Sequence, residues 1–114
     1  MLKYAIYVHM TVKPGQEKAA EEFLRSAESL VREETKTVGW FAFRESPTSY
    51  GLFDVFEEDA DRKTHIAGKV AAALMAKAPE LFTQSPEIHM IDLLASKIPG
   101  DSMLPGDSKL KDAA

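Results

Sequence analysis

Apolar residues in this chain change their period along its length, and the order of those changes limits what it can fold into. Residues 4–13 alternate with period two: Tyr4, Ile6, Val8, Met10 and Val12 fall on one side, Ala5, Tyr7, His9 and Thr11 on the other. That is the pattern of a pleated strand. Lys13-Pro14-Gly15 ends the run, because proline has no donor for a ladder and glycine frees a turn. Over residues 16–36 Ala20, Phe23, Ala27, Leu30 and Val31 recur at helical spacing, with Glu, Lys and Arg opposite. This predicts an amphipathic surface helix. Alternation returns at 38–46 and again at 50–57, and the turn formers Ser46-Pro47-Thr48-Ser49 between them predict a hairpin. A second helix is predicted from Asp59 or Ala60, with acids at its positive N-terminal end. It carries Ile66, Val70, Ala73 and Leu74 to Lys77 and stops at Pro79, with Glu80-Leu81-Phe82 as a short added turn. Pro86 opens a last strand over 87–95.

The order is βαββαβ, the α+β, ferredoxin-like split βαβ arrangement. It predicts a four-stranded antiparallel sheet with both helices on one face. Residues 1–97 form the domain, and 98–114, with two Pro-Gly pairs among Asp, Ser and Lys, read as a loosely held tail. Helices cover only one sheet face, yet several strands are apolar on both: Trp40 and Ala42 back onto Phe41 and Phe43, Leu52 and Phe56 onto Phe53 and Val55. A monomer does not leave such a face open, so the expectation is a homodimer through the sheet faces.

With 114 residues, one core is expected. A net charge of −4 and scattered basic residues argue against nucleic acid, which needs clustered Lys and Arg. The absence of cysteine removes disulfides, thiolate nucleophiles and Cys-ligated metals. No apolar run approaches the roughly 20 residues of a membrane span. Residues 1–4 lead straight into strand-like sequence with no signal-peptide pattern. A soluble cytoplasmic protein is therefore expected.

The stretch 52–65 concentrates the chemistry. Tyr50, Leu52, Asp54 and Phe56 share one strand face, and an acid among apolar neighbours is costly to bury unless it is paired. His65 lies on the helix that packs back onto this strand, so an Asp54–His65 contact is expected. A plain structural reading competes with a functional one, since a histidine near a helix start often bridges to an acid such as Asp54, Asp59 or Asp61. Two further histidines, His9 and His89, lie on neighbouring strands. Without a third ligand they suit edge or interface hydrogen bonding better than a metal. Trp40 and Phe43 read as core or dimer contacts. The acids of 57–61 lack the glycine and spacing of a calcium loop and form a solvated helix start.

Three features together resemble the antibiotic biosynthesis monooxygenase (ABM) domain, and within it the quinol monooxygenase branch. They are Val12-Lys13-Pro14-Gly15 closing the first strand, Gly39 opening the second, and Phe53-Asp54-Val55-Phe56-Glu57 leading to His65. The family pattern in the last block is an aromatic, a glutamate, any residue and a tryptophan, with a histidine nine positions later. His65 keeps that spacing from Phe56. The chain departs from the pattern in having Asp54 for the glutamate and Phe56 for the tryptophan. Relatives that degrade haem use an asparagine on the first strand, which Tyr7-Val8-His9-Met10 lacks, so haem degradation is disfavoured. The resemblance spans about residues 3–97.

The resemblance implies a dimeric α/β barrel that oxygenates a small quinol or polycyclic phenol with dioxygen, using no metal or flavin. His65 would act as base or substrate hydrogen-bond partner and Asp54 as its orienter. Phe56, Leu52, Tyr50, Met75 and Phe82 would form the wall against a flat ring. Two alternatives stay open: a dimer that binds a small ligand or serves in stress without chemistry, and an isomerase or lyase on the same scaffold.

Overall fold

The computed structural model describes residues 1–99, so most of the expected tail, 98–114, lies outside the described residues. The elements are β1 (Tyr4–Thr11), α1 (Glu17–Val31), β2 (Gly39–Arg44), β3 (Ser49–Phe56), α2 (Asp59–Ile66), α3 (Lys69–Leu81) and β4 (Glu87–Asp92). The sheet runs β2-β3-β1-β4 and every pairing is antiparallel. β3 thus separates β1 from β2, and β1 separates β3 from β4, which is the split βαβ topology the period changes predict.

One face of the sheet carries the main core. Ile6, Val8 and Met10 from β1 and Tyr50, Leu52 and Phe56 from β3 pack against Ala20 and Leu24 of α1 and Leu74, Ala78 and Leu81 of α3. These are the faces that alternation assigns. The opposite face holds a smaller cluster of Leu2, Ala5 and Val55, with Phe53, Ile91 and Leu93 packed against it. On that face Phe43 lies directly over Gly51, its cross-strand partner. A Cβ at Gly51 would stand 2.4 Å from the Phe43 ring, so the ring occupies the space a side chain would fill.

Four expectations are corrected. The helix predicted over 16–36 ends at Val31. Glu33 and Glu34 carry like charge to the negative end of the helix, and the β-branched Thr35 and Thr37 follow, so continuation is disfavoured. The second helix is two helices, parted at Ala67-Gly68. Glycine is a poor helix interior residue and a good N-cap, and Gly68 takes the extended backbone that starts α3. Pro79 does not stop α3, which runs to Leu81. A proline removes only its own donor, and the carbonyls past it are met by Lys13: its Nζ donates to Pro79 O (2.6 Å) and its backbone N–H to Leu81 O (2.8 Å). β4 also ends at Asp92, short of residue 95.

Candidate active site

Asp54 points from β3 toward the helices and is only 1% exposed. Its register partner on β1 is Ile6 and on β2 is Trp40. A carboxylate in such surroundings must be paired, and α2 supplies the partner: His65 Nε2 lies 3.0 Å from Asp54 Oδ2. His65 is itself 7% exposed, and the Phe56 ring tilts against it with centroids 5.4 Å apart. Its other ring nitrogen, Nδ1, is 2.5 Å from Glu34 Oε1. Thr37 Oγ1 donates to the same Glu34 oxygen at 2.5 Å and lies 3.4 Å from Nδ1. Three elements therefore converge: β3, α2 and the segment that follows α1.

An imidazole with a carboxylate on each ring nitrogen donates from both when protonated. Burial opposes that charge, but the hydrogen bonds to Asp54 and Glu34 and the negative charge of both outweigh it, and the His65 pKa is raised. Burial likewise pushes the Asp54 carboxyl up, further than its bond to His65 pulls it down, and the Glu34 charge adds to the rise. Asp54 and His65 therefore each hold a proton more tightly than they would alone. Neither nitrogen of His65 is left to accept a proton from a ligand. The acceptor without a protein partner is Asp54 Oδ1, and it is fully buried. The residue opposed to Asp54 on β2, Trp40, carries a second buried, unpartnered polar atom, its Nε1.

The expected wall residues divide. Phe56 touches His65, while Leu52, Tyr50 and Phe82 are buried in the main core. The Tyr50 hydroxyl donates to Glu21 Oε2 at 2.8 Å. Met75 stands apart, 45% exposed, because the buried side of α3 is Val70, Leu74, Ala78 and Leu81. The open space lies elsewhere, along the junction of α1 and β2. One groove of about 490 Å³ is lined by Glu21, Leu24, Arg25, Trp40, Arg44 and Tyr50, among others. A second of about 400 Å³ is lined by Arg32, Glu34, Thr37, Gly39 and Trp40, among others. Trp40 borders both, and Glu34 connects the second to His65.

Glu34 and Trp40 are the residues that sequence reading passes over. Glu34 is hidden inside a run that looks helical. Trp40 is given away by symmetry: pairing outward from a turn centred on Pro47 sets Arg44 opposite Tyr50, Ala42 opposite Leu52 and Trp40 opposite Asp54.

The other histidines do not join the site. His9 Nδ1 lies 3.2 Å from Glu87 Oε2, and His89 stacks on Tyr7 at 5.6 Å. Among the described residues no three His, Asp or Glu side chains gather as a metal site requires. No helix among them is long and apolar enough to cross a membrane.

No protein-family model and no curated protein matches the chain. Among solved structures it is similar to NE2512, a protein of unknown function from Nitrosomonas europaea, at 44% identity and TM-score 0.84, covering 87% of this chain and 96% of that one. It is also similar to Rv0793 from Mycobacterium tuberculosis, at 14% identity and TM-score 0.75, covering 84% of this chain and 99% of that one. A structure named antibiotic biosynthesis monooxygenase matches at 14% identity and TM-score 0.70, covering 81% and 99%. At such identities the last two establish a shared fold, the one the Asp54–His65 block predicts. The chain belongs to the family of the Nitrosomonas europaea NE2512 protein, built on the fold of the antibiotic biosynthesis monooxygenases.

Proposed function

We propose that this protein is a monooxygenase for a small quinol or polycyclic phenol, working with dioxygen and without metal or flavin. The observation that carries the reading is the buried Asp54–His65 pair, extended to the half-buried Glu34, with one Asp54 oxygen free. A substrate hydroxyl meets Asp54 Oδ1, whose burial makes it proton-hungry, and gives up its proton there. His65, bonded on both sides, positions Asp54 and offsets the charge rather than touching substrate. The resulting anion is electron-rich and itself reduces dioxygen. For a quinol the balance is quinol plus dioxygen to hydroxyquinone plus water: one oxygen atom forms the new C–O bond and the other leaves with two hydrogens. Phe56 and the apolar surroundings of the triad keep water from competing.

Oxygen uptake with a panel of hydroquinones tests this directly. Asp54→Asn is expected to lower kcat by roughly 10²- to 10⁴-fold, the usual contribution of a positioned base. Uptake absent from the wild type, or unchanged in Asp54→Asn, would overturn the reading. The binding-only alternative is favoured by one observation: Leu52, Tyr50, Phe56 and Phe82 are close-packed in the core, which leaves ligand access to the α1–β2 grooves. Thermal stabilisation by a phenol without oxygen uptake selects that alternative.

The same reading makes the protein a homodimer through its open sheet face. That face carries Phe41, 57% exposed, beside Phe53 and a stacked row of Phe43, Tyr7 and His89. Against a chain mass of 12.6 kDa, a mass in solution about twice that is expected. A monomer by light scattering overturns this part.

A further inference from the structure

We infer that Trp40 and Asp54 form a clamp for a single hydroxyl group, the indole Nε1–H donating to the hydroxyl oxygen and the hydroxyl hydrogen going to Asp54 Oδ1. Both atoms are buried and neither has a protein partner. Buried polar atoms are almost always satisfied, so two such exceptions on a pair of opposed residues require an account. They belong to residues directly opposed on β2 and β3 and on the same, helix-facing side of the sheet. Opposed side chains in an antiparallel pair start about 4.5–5.5 Å apart at Cβ. One atom is a donor only and the other, in a carboxylate, an acceptor only. They do not bond to each other, so the group that satisfies both must accept and donate at once. A hydroxyl does this with one oxygen, whereas a carbonyl, an ether or an ammonium cannot. Trp40 also borders both grooves at the α1–β2 junction, which gives a ring bearing that hydroxyl a place to lie.

This inference rests on the reading of Asp54 as the substrate-facing group and adds the selecting element. The clamp sorts ligands by the presence of a free aromatic hydroxyl, and it acts in binding, before any oxygen chemistry. Trp40 brings its indole donor to this acid from the neighbouring strand.

The test is calorimetric titration under nitrogen with hydroquinone, 4-methoxyphenol and 1,4-dimethoxybenzene. The first two are expected to bind the wild type roughly tenfold or more tightly than the third, because the doubly methylated ring leaves a buried carboxylate oxygen unpaired. Trp40→Phe keeps most of the ring packing, removes the donor and is expected to weaken both phenols by a larger factor than 1,4-dimethoxybenzene. An observation on the wild type alone guards against a variant that fails to fold. Trp40 is the one tryptophan of the chain, so its indole N–H gives a single, unambiguous proton–nitrogen resonance. That resonance is expected to move downfield with hydroquinone and to stay in place with 1,4-dimethoxybenzene.

Equal affinity for all three compounds, no binding of any, or an indole resonance untouched by hydroquinone, as a trapped water alone would give, each overturns the clamp. The two proposals fail separately. Selective binding without oxygen uptake keeps the clamp and removes the monooxygenase. Oxygen uptake with no selectivity at Trp40 does the reverse.

Discussion

Two buried charges leave the same short helix, and they are handled in opposite ways. Arg62 donates through Nη1 to the carbonyls of Ala5 (3.3 Å) and Ile91 (3.0 Å), and through Nε and Nη2 to Asp59 Oδ1. Its guanidinium also lies 4.9 Å from the centre of the Tyr4 ring. One cation meets one half-exposed acid and two neutral acceptors, and it ties α2 to β1 and to the region of β4. One turn further on, His65 meets two acids, and one oxygen of the more buried acid has no protein partner. The first arrangement is closed and balanced; the second carries surplus negative charge and an open acceptor. A buried charge that is fully satisfied marks construction, and one left open marks a place built to receive something.

The sharpest way to break this contrast is to remove the closed charge. Arg62→Met is expected to cost about 3–5 kcal/mol in denaturant unfolding, since two carbonyls lose a buried donor at about 1–3 kcal/mol each and Asp59 keeps only Lys63. The preference for phenols over 1,4-dimethoxybenzene should survive in whatever fraction remains folded. A loss below about 1 kcal/mol would show that Arg62 does not staple α2 to the sheet.

His65→Gln comes next, with an expected loss of about 1.5–3 kcal/mol, the scale of hydrogen bonds to charged groups. This loss should depend on pH. The folded-state pKa of His65 is raised, so its stabilisation is fully present below about 6.5, histidine's ordinary value, and fades as pH rises through the higher folded value. Asp54, also raised, acts with the same sign: protons bind the folded state more tightly, so rising pH weakens it. Thermal melts from pH 5.5 to 9 should show wild type and His65→Gln converging on the alkaline side. Parallel curves would mean that the imidazole is not charged in the folded protein.

Glu34→Gln is the smallest change, about 1 kcal/mol, because the amide oxygen still accepts from Nδ1 and Thr37. Its clearer signature is a fall in the His65 pKa, read by proton resonance titration of the imidazole. No fall would exclude Glu34 as a contributor to the imidazolium.

The parts of the molecule legible in the sequence are those set by period alone. Alternation gives the faces of all the strands, and the nine-residue step from Phe56 to His65 places an imidazole over a strand acid. What escapes is set by where regular structure stops. Glu34 reads as helix, yet it reaches His65 because α1 has already ended at Val31. Met75 is expected in the wall, yet the buried row of α3 runs through Val70, Leu74 and Ala78, and Met75 stands one step away from it. Composition and period say little about such endings, which depend on caps and tertiary partners.

The Phe43 ring seated over Gly51 acts on the site from the far side of the sheet. β2 is an edge strand held by one neighbour, and edge strands of that kind are prone to slip. A slip of one residue would turn Trp40 to the wrong face. A slip of two would keep the face but bring Phe43 onto Phe53 or Ser49, where a side chain already stands. Position 51 alone along β3 offers the bare backbone the ring needs. The pair works as a key and keyway: it indexes one strand against the other and thereby keeps an indole donor and a carboxylate in line on the opposite face.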